Sequence, residues 1–168
     1  MDTDRLIQKM VVYYSGDPKR IQHFIKVHSF ASLIGKSEKL DGNMQFILET
    51  AAIVHDIGIK AAEMKYQSAN GKNQESEGPP IAEKMLTEFC YPSDVIERVC
   101  YLVGHHHTYN KIDGLDYQIL VEADFLVNMY EDEMEADAIH SVLHKIFRTE
   151  TGIKLCKTMF ALDDSFQM

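Results

Sequence analysis

A histidine and an aspartate stand side by side at positions 55 and 56. They end the apolar run Ile47-Leu48-Glu49-Thr50-Ala51-Ala52-Ile53-Val54 and precede Ile57-Gly58. An imidazole and a carboxylate in adjacent residues, where a buried helix meets a glycine-containing turn, can hold one divalent metal. That donor pair suits Mg, Mn, Fe, Ni or Zn and does not choose among them. His23 lies upstream, and His105-His106-His107 and Asp124 lie downstream. Asp124 is set among Ile119, Leu120, Val121, Phe125, Leu126 and Val127. An unpaired carboxylate buried there would cost several kcal/mol or would have to be protonated. A metal removes that cost, and a buried salt bridge to Arg or Lys is the alternative.

Helical phase decides which histidines can join. His23 heads a stripe with Val27, Phe30, Ala31 and Ile34, at spacings that face a core. His28 lies between Ser29 and Val27, five residues on, so its side chain diverges from that of His23 by about 140°. The two cannot reach one metal from a regular helix. His106 follows Val103 and Val99 on the same face, which points it to the core ahead of His105, with His107 last. His140 and His144 share a face with no carboxylate cluster beside it and read as surface residues.

The order His23, His55-Asp56, Asp124 resembles the HD-domain superfamily of metal-dependent phosphohydrolases, whose sequences read H…HD…D. Arg20-Ile21-Gln22-His23 with Val27 and Ala31, Leu48 to Gly58, Glu77-Gly78-Pro79-Pro80-Ile81-Ala82 and Leu120 to Asp124 carry the resemblance further, over about 18–130. It implies an all-α, single-domain HD-type helical bundle spanning 1–168. It also implies a divalent metal (Mn, Mg, Fe, Ni, Co or Zn) on His23, His55, Asp56 and Asp124. The implied activity is cleavage of a phosphate ester or anhydride in a small phosphorylated compound, a nucleotide, by metal-activated water. In that reading Asp56 also orients the water, while His105 and His106 contact phosphate or a second metal.

The chain departs from the superfamily in two places. Two-metal relatives carry a His a few residues before the Gly-Pro, where this chain reads Lys72-Asn73-Gln74-Glu75; Glu75 or Glu77 could substitute. Many relatives have Lys directly after HDIG, where this chain has Ile59 and then Lys60. Lys60, Lys72 and Glu77 are accordingly the candidate substrate-binding residues. The resemblance also leaves open a di-iron oxygenase on the same scaffold, and a third class of function is a non-catalytic small-molecule binding module.

The 168 residues suffice for one ordinary domain with a substantial core. A net charge of −9 disfavours wrapping duplex nucleic acid, which needs surplus Lys and Arg. It leaves a nucleotide substrate open, because a metal and a few cations reverse the field within one pocket. No stretch has the roughly 20 apolar residues of a membrane span. The N-terminus does not resemble a signal peptide, and three widely spaced cysteines fit a cytoplasmic protein. Helices are expected at 3–15, 18–39, 43–56, from Pro79-Pro80, from a Ser93-Asp94 cap, at 117–130, 132–147 and 149–162, then a polar tail. Residues 57–77 read as a long irregular loop.

Overall fold

The computed structural model describes residues 3–162, among which there are nine α-helices and no strand. They are α1 (Thr3–Tyr13), α2 (Pro18–Ser37), α3 (Gly42–Val54), α4 (Ile59–Tyr66) and α5 (Gly71–Glu88). α6 (Ser93–Val103), α7 (Leu115–Glu131), α8 (Ala136–Ile146) and α9 (Glu150–Met159) follow. The all-α expectation is met. The tail at 163–168 lies outside the described residues.

Local signals set most helix ends. Asp17 caps α2 by accepting from Arg20 N at 3.1 Å, and Pro18 occupies the first turn, where no N–H is needed. Lys39 takes a left-handed φ of 61° beyond its end, and Leu40 N returns to Gly35 O at 3.0 Å. Asp41 then caps α3 through Asn43 N and Met44 N. From Ile47 to Val54, every residue of α3 except Glu49 is buried. This helix runs through the middle of the molecule, packed by α1, α2, α6 and α7. α7 is similarly enclosed, with Tyr117, Ile119, Leu120, Val121 and Leu126 all fully buried. α2 covers both, and α4, α5 and α6 form a second group against the other side of α3.

Four expected boundaries are corrected. Residues 57–77 are not a long loop: α4 and the first turns of α5 occupy most of them. Pro79 and Pro80 lie inside α5 instead of opening it, although each removes one backbone N–H donor. Gly71, Gly78 and the two prolines hide the helix from propensity, and packing against α4 and α6 overrides them. Ser93 is the first residue of α6, whose cap position is Pro92, so only Asp94 favours that end, through the helix dipole. The run 131–135 starts on the last residue of α7 and continues through a turn at 132–133, and α8 begins after it at Ala136 rather than at 132. None of the described helices is long and apolar enough to cross a membrane.

The C-terminal helices are pinned by one buried carboxylate. Glu122, fully buried on α7, accepts from Gln118 Nε2 at 2.7 Å, Arg148 N at 2.6 Å, Thr149 N at 3.0 Å and Thr149 Oγ1. Thr149 in turn caps α9 through Gly152 N. Replacing Glu122 by Ala strands these donors in the interior and should cost about 3 kcal/mol in urea unfolding. Glu135→Ala, on the exposed surface, should cost less than about 0.5 kcal/mol.

Candidate metal centre

α3 ends at Val54, and the turn 55–58 that follows is gripped by the end of α1. Tyr14 donates its hydroxyl to Asp56 O at 2.7 Å, and Tyr13 to Ile57 O at 3.1 Å. Gly58 allows α5 to close over the turn, since a Cβ there would lie 2.5 Å from Gln74 O and 2.7 Å from Gly78 N. His55 Nδ1 lies 2.9 Å from Ala52 O and donates to it, which leaves Nε2 pointing away from its own helix.

Two other helices bring their groups to the same place. His23 on α2 has Nε2 at 3.3 Å from His55 Nε2, 3.4 Å from Asp56 Oδ2 and 3.2 Å from Asp124 Oδ1. His55 Nε2 lies 3.4 Å from Asp56 Oδ2 and 3.6 Å from Asp124 Oδ1. Ligands about 2.0–2.2 Å from one ion in tetrahedral array stand about 3.3–3.6 Å apart, so each of these pairwise separations is of the size found between two ligands of one small divalent cation. His23 and Asp124 are oriented from behind. His23 Nδ1 lies 3.0 Å from Glu131 Oε2, which also holds Lys26 Nζ at 2.6 Å, and Asn128 Nδ2 donates to Asp124 Oδ1 at 2.9 Å.

His106 completes the inner wall from the turn after α6. It is 1% exposed, its Nδ1 donates to Val103 O at 2.9 Å, and its Nε2 stands 3.5 Å from Asp56 Oδ1. That Nε2 is buried without a hydrogen-bond partner. Burying such an atom is costly unless something arrives to meet it, a cation or a water. Asp56, His106 and His107 also bring ligand atoms within 4.8 Å of one another, as do His23, His55 and Asp56.

The electrostatics follow from packing acids and imidazoles together. Burial disfavours charge on His55, but Asp56 and Asp124 outweigh it and hold its pKa well above the ordinary value. His23 is raised in the same way, burial opposing and Asp124 prevailing. Burial likewise opposes ionisation of Asp56 and Asp124. The imidazoles win, and both carboxyls lie well below the usual range. At His107 the balance reverses: burial, then the charge of His106, outweighs Asp124 and Asp56 and lowers it to about 4.

The expected site residues divide into those the fold assembles and those it does not. His23, His55, Asp56, Asp124 and His106 come together. His28 faces elsewhere, with Nε2 3.7 Å from Glu49 Oε2. His105 is also outside the cluster: its ring stacks on Tyr101 at 4.3 Å and its Nδ1 donates to Tyr101 O. Lys60 does not line the cleft over the cluster and reaches Tyr13 O at 3.3 Å. Lys72 is exposed and outside that cleft, and Glu77 is taken by Lys65 and Tyr66, each at 2.8 Å. Glu75 holds the loop after α6, accepting from His107 N at 2.9 Å and from Thr108 Oγ1.

The cleft, about 270 Å³, is lined in addition by residues to which the sequence reading gives no site role, Glu131 and Asp132 reading as a solvated helix start. Lys19 and Arg20 enter it one turn before His23, Asn128 and Asp132 one and two turns after Asp124, and Glu131 between them. Helical spacing from the motif residues would have found all five. His107 and Gln74 also line it, joined by a 3.1 Å contact between His107 Nε2 and Gln74 Oε1. No simple spacing pointed to that pair, because α6 ends at Val103 and the beginning of α5 was read as loop.

The chain matches the HD domain family model over residues 20–151. It belongs to the HD-domain family. Its fold is similar to the crystal structure, at 1.45 Å, of a predicted HD superfamily hydrolase from an uncultured Thermotogales bacterium. That likeness has a TM-score of 0.67 and 25% identity over 94% of this chain and 84% of the other. A comparison with curated proteins finds no match. Family and cluster together support a metal-dependent hydrolase in general.

Two outcomes test the centre. His23→Ala should remove the bound metal, measured by elemental analysis, while His28→Ala should retain it. Metal binding must displace protons from the raised His23 and His55, so Mn affinity should be weaker at pH 6 than at pH 8. Titration calorimetry in buffers of different ionisation enthalpy reads both the affinity and the protons released.

Proposed function

We propose that this protein is a phosphohydrolase that uses a divalent metal held by His23, His55, Asp56 and Asp124. It releases phosphate from a small phosphorylated compound of the nucleotide class. The convergence of these four side chains, with interatomic distances of 3.2–3.6 Å, carries the reading. When bound, the ion supplies Lewis acidity, polarising a phosphoryl oxygen and lowering the pKa of water.

The chain's own groups supply the rest. Asp56 Oδ1, turned toward His106, positions the attacking water by accepting one of its hydrogen bonds. With Nδ1 committed to Val103 O, His106 offers Nε2 as the proton acceptor. The water oxygen bonds to phosphorus as the ester P–O bond breaks, His106 takes the water proton, and the departing oxygen is protonated from solvent at the open mouth. The resulting imidazolium stabilises the charge on the released phosphate. No Ser or Cys nucleophile is required. Free Cys90, Cys100 and Cys156 support a reducing, cytoplasmic setting.

The oxygenase alternative needs a second iron on Asp56, His106 and His107. His107 Nε2 is already engaged by Gln74, which favours hydrolysis.

Protein stripped by chelator and reloaded separately with Mn, Mg, Co or Ni should release phosphate from nucleotides with at least one of these ions, and with none before reloading. His106→Ala should lower kcat by roughly 10²–10⁴, the worth of a general base, with metal content unchanged. Full activity in the chelated protein would refute the metal role.

A further inference from the structure

The cleft is polarised across its width. On one rim, the start of α2 contributes Lys19 and Arg20; on the other, the end of α7 contributes Asn128, Glu131 and Asp132. Several of these groups are already engaged. Arg20 pairs with Asp17 at 3.2 Å and Glu63 at 2.5 Å, and Glu131 takes Lys26 and His23. Asn128 gives its amide N–H to Asp124. What remains to meet a ligand is one cation, Lys19, on the α2 rim. On the α7 rim there remain two acceptors, the Asn128 amide oxygen and the Asp132 carboxylate.

The α7 acceptors form a track that leaves the reacting centre. Asp124, Asn128 and Asp132 are spaced four apart on one helix face, with Asp132 at its cap position. At 1.5 Å per residue, Asn128 lies about 6 Å and Asp132 about 12 Å along the axis from Asp124. A compound whose phosphate sits at the cluster would therefore lay the rest of itself beside groups that accept hydrogen bonds. Hydroxyls, which can donate to both, suit that track.

Two things are missing from the described lining. Ile59 is its sole apolar side chain, and it includes no Phe, Tyr or Trp. A base is held in most sites by an apolar or aromatic face, which this cleft does not offer. Nor is there a second unpaired cation for a second phosphate, whose charge would meet Glu131 and Asp132 instead.

We propose, on the basis of the phosphohydrolase reading above, that the substrate is a phosphate monoester of a polyhydroxylated alcohol. Lys19 contacts its phosphate and Asp132 its hydroxyls. A sugar phosphate meets that description, and so does the ribose phosphate part of a nucleoside monophosphate, with the base left unread.

The test uses the full chain loaded with the metal that supports activity, and compares ribose 5-phosphate with p-nitrophenyl phosphate, which has no hydroxyls. Asp132→Ala should lower the ratio of their kcat/KM values by about tenfold, because a carboxylate–hydroxyl bond is lost for one ester only. Lys19→Met should instead raise KM for both by similar factors, leaving the ratio near its starting value. Adenosine and cytidine 5′-monophosphates should differ by less than about threefold in kcat/KM. A ratio unchanged by Asp132→Ala overturns the inference while phosphate release from both esters upholds the hydrolase reading. So does a base preference above about tenfold. Release from neither ester or nucleotide, with any of the four ions, overturns both.

Discussion

Two carboxylates in the interior must be answered by positive charge, and much of this structure is arranged around that requirement. Asp56, in the turn after α3, and Asp124, on α7, meet where water is largely excluded, with Asp124 only 5% exposed. Leaving them unpaired would cost several kcal/mol each. Imidazoles from α2 and α3 provide the answer in the protein alone, and a divalent cation provides a better one, since it satisfies four ligands with one charge centre. The raised histidines and depressed carboxyls describe the same fact: a cluster that binds protons until a metal displaces them.

That demand explains why the outer layer is so heavily hydrogen-bonded. A cluster assembled from three helices is only as rigid as the parts that aim its side chains. α1 holds the 55–58 turn by two tyrosine hydroxyls, α5 closes on it through Gly58 and Gly78, and α7 places Glu131 behind His23. The imidazoles of His55 and His106 are each fixed by a carbonyl three residues earlier. Glu122 and the Arg98–Asp116 pair lock α7 at points further along, the latter by two bonds of 2.8 Å. Asp124 is thus carried on a helix tied down on both sides.

The sequence made much of this legible, for reasons visible in particular residues. His23 could be placed inward, apart from His28, because Val27, Ala31 and Ile34 continue a regular stripe, and all three are fully buried. Asp124 stood out because its helix is otherwise almost wholly apolar, with Ile119, Leu120, Val121, Phe125, Leu126 and Val127 around it. Periodicity failed where the chain stops being periodic. α6 ends at Val103, so helical phase extended to position 106 by good fortune but misjudged its neighbours: His105 stacks on Tyr101, while His107 turns into the cleft. α5 was obscured by Gly71, Gly78, Pro79 and Pro80, whose poor propensity is offset by packing that no local rule can see. The lysines near the motif were plausible by position, yet Lys60 is drawn to Tyr13 and the cleft is reached by Lys19 instead.

The four-ligand centre requires one cation among side chains from α2, the turn after α3, and α7. Its most direct test is a crystal grown with Mn and measured for anomalous scattering. A peak is expected roughly 2.0–2.3 Å from His23 Nε2, His55 Nε2 and one oxygen each of Asp56 and Asp124. A structure in which those four groups remain paired with one another, with the peak elsewhere or absent at saturating Mn, would contradict it.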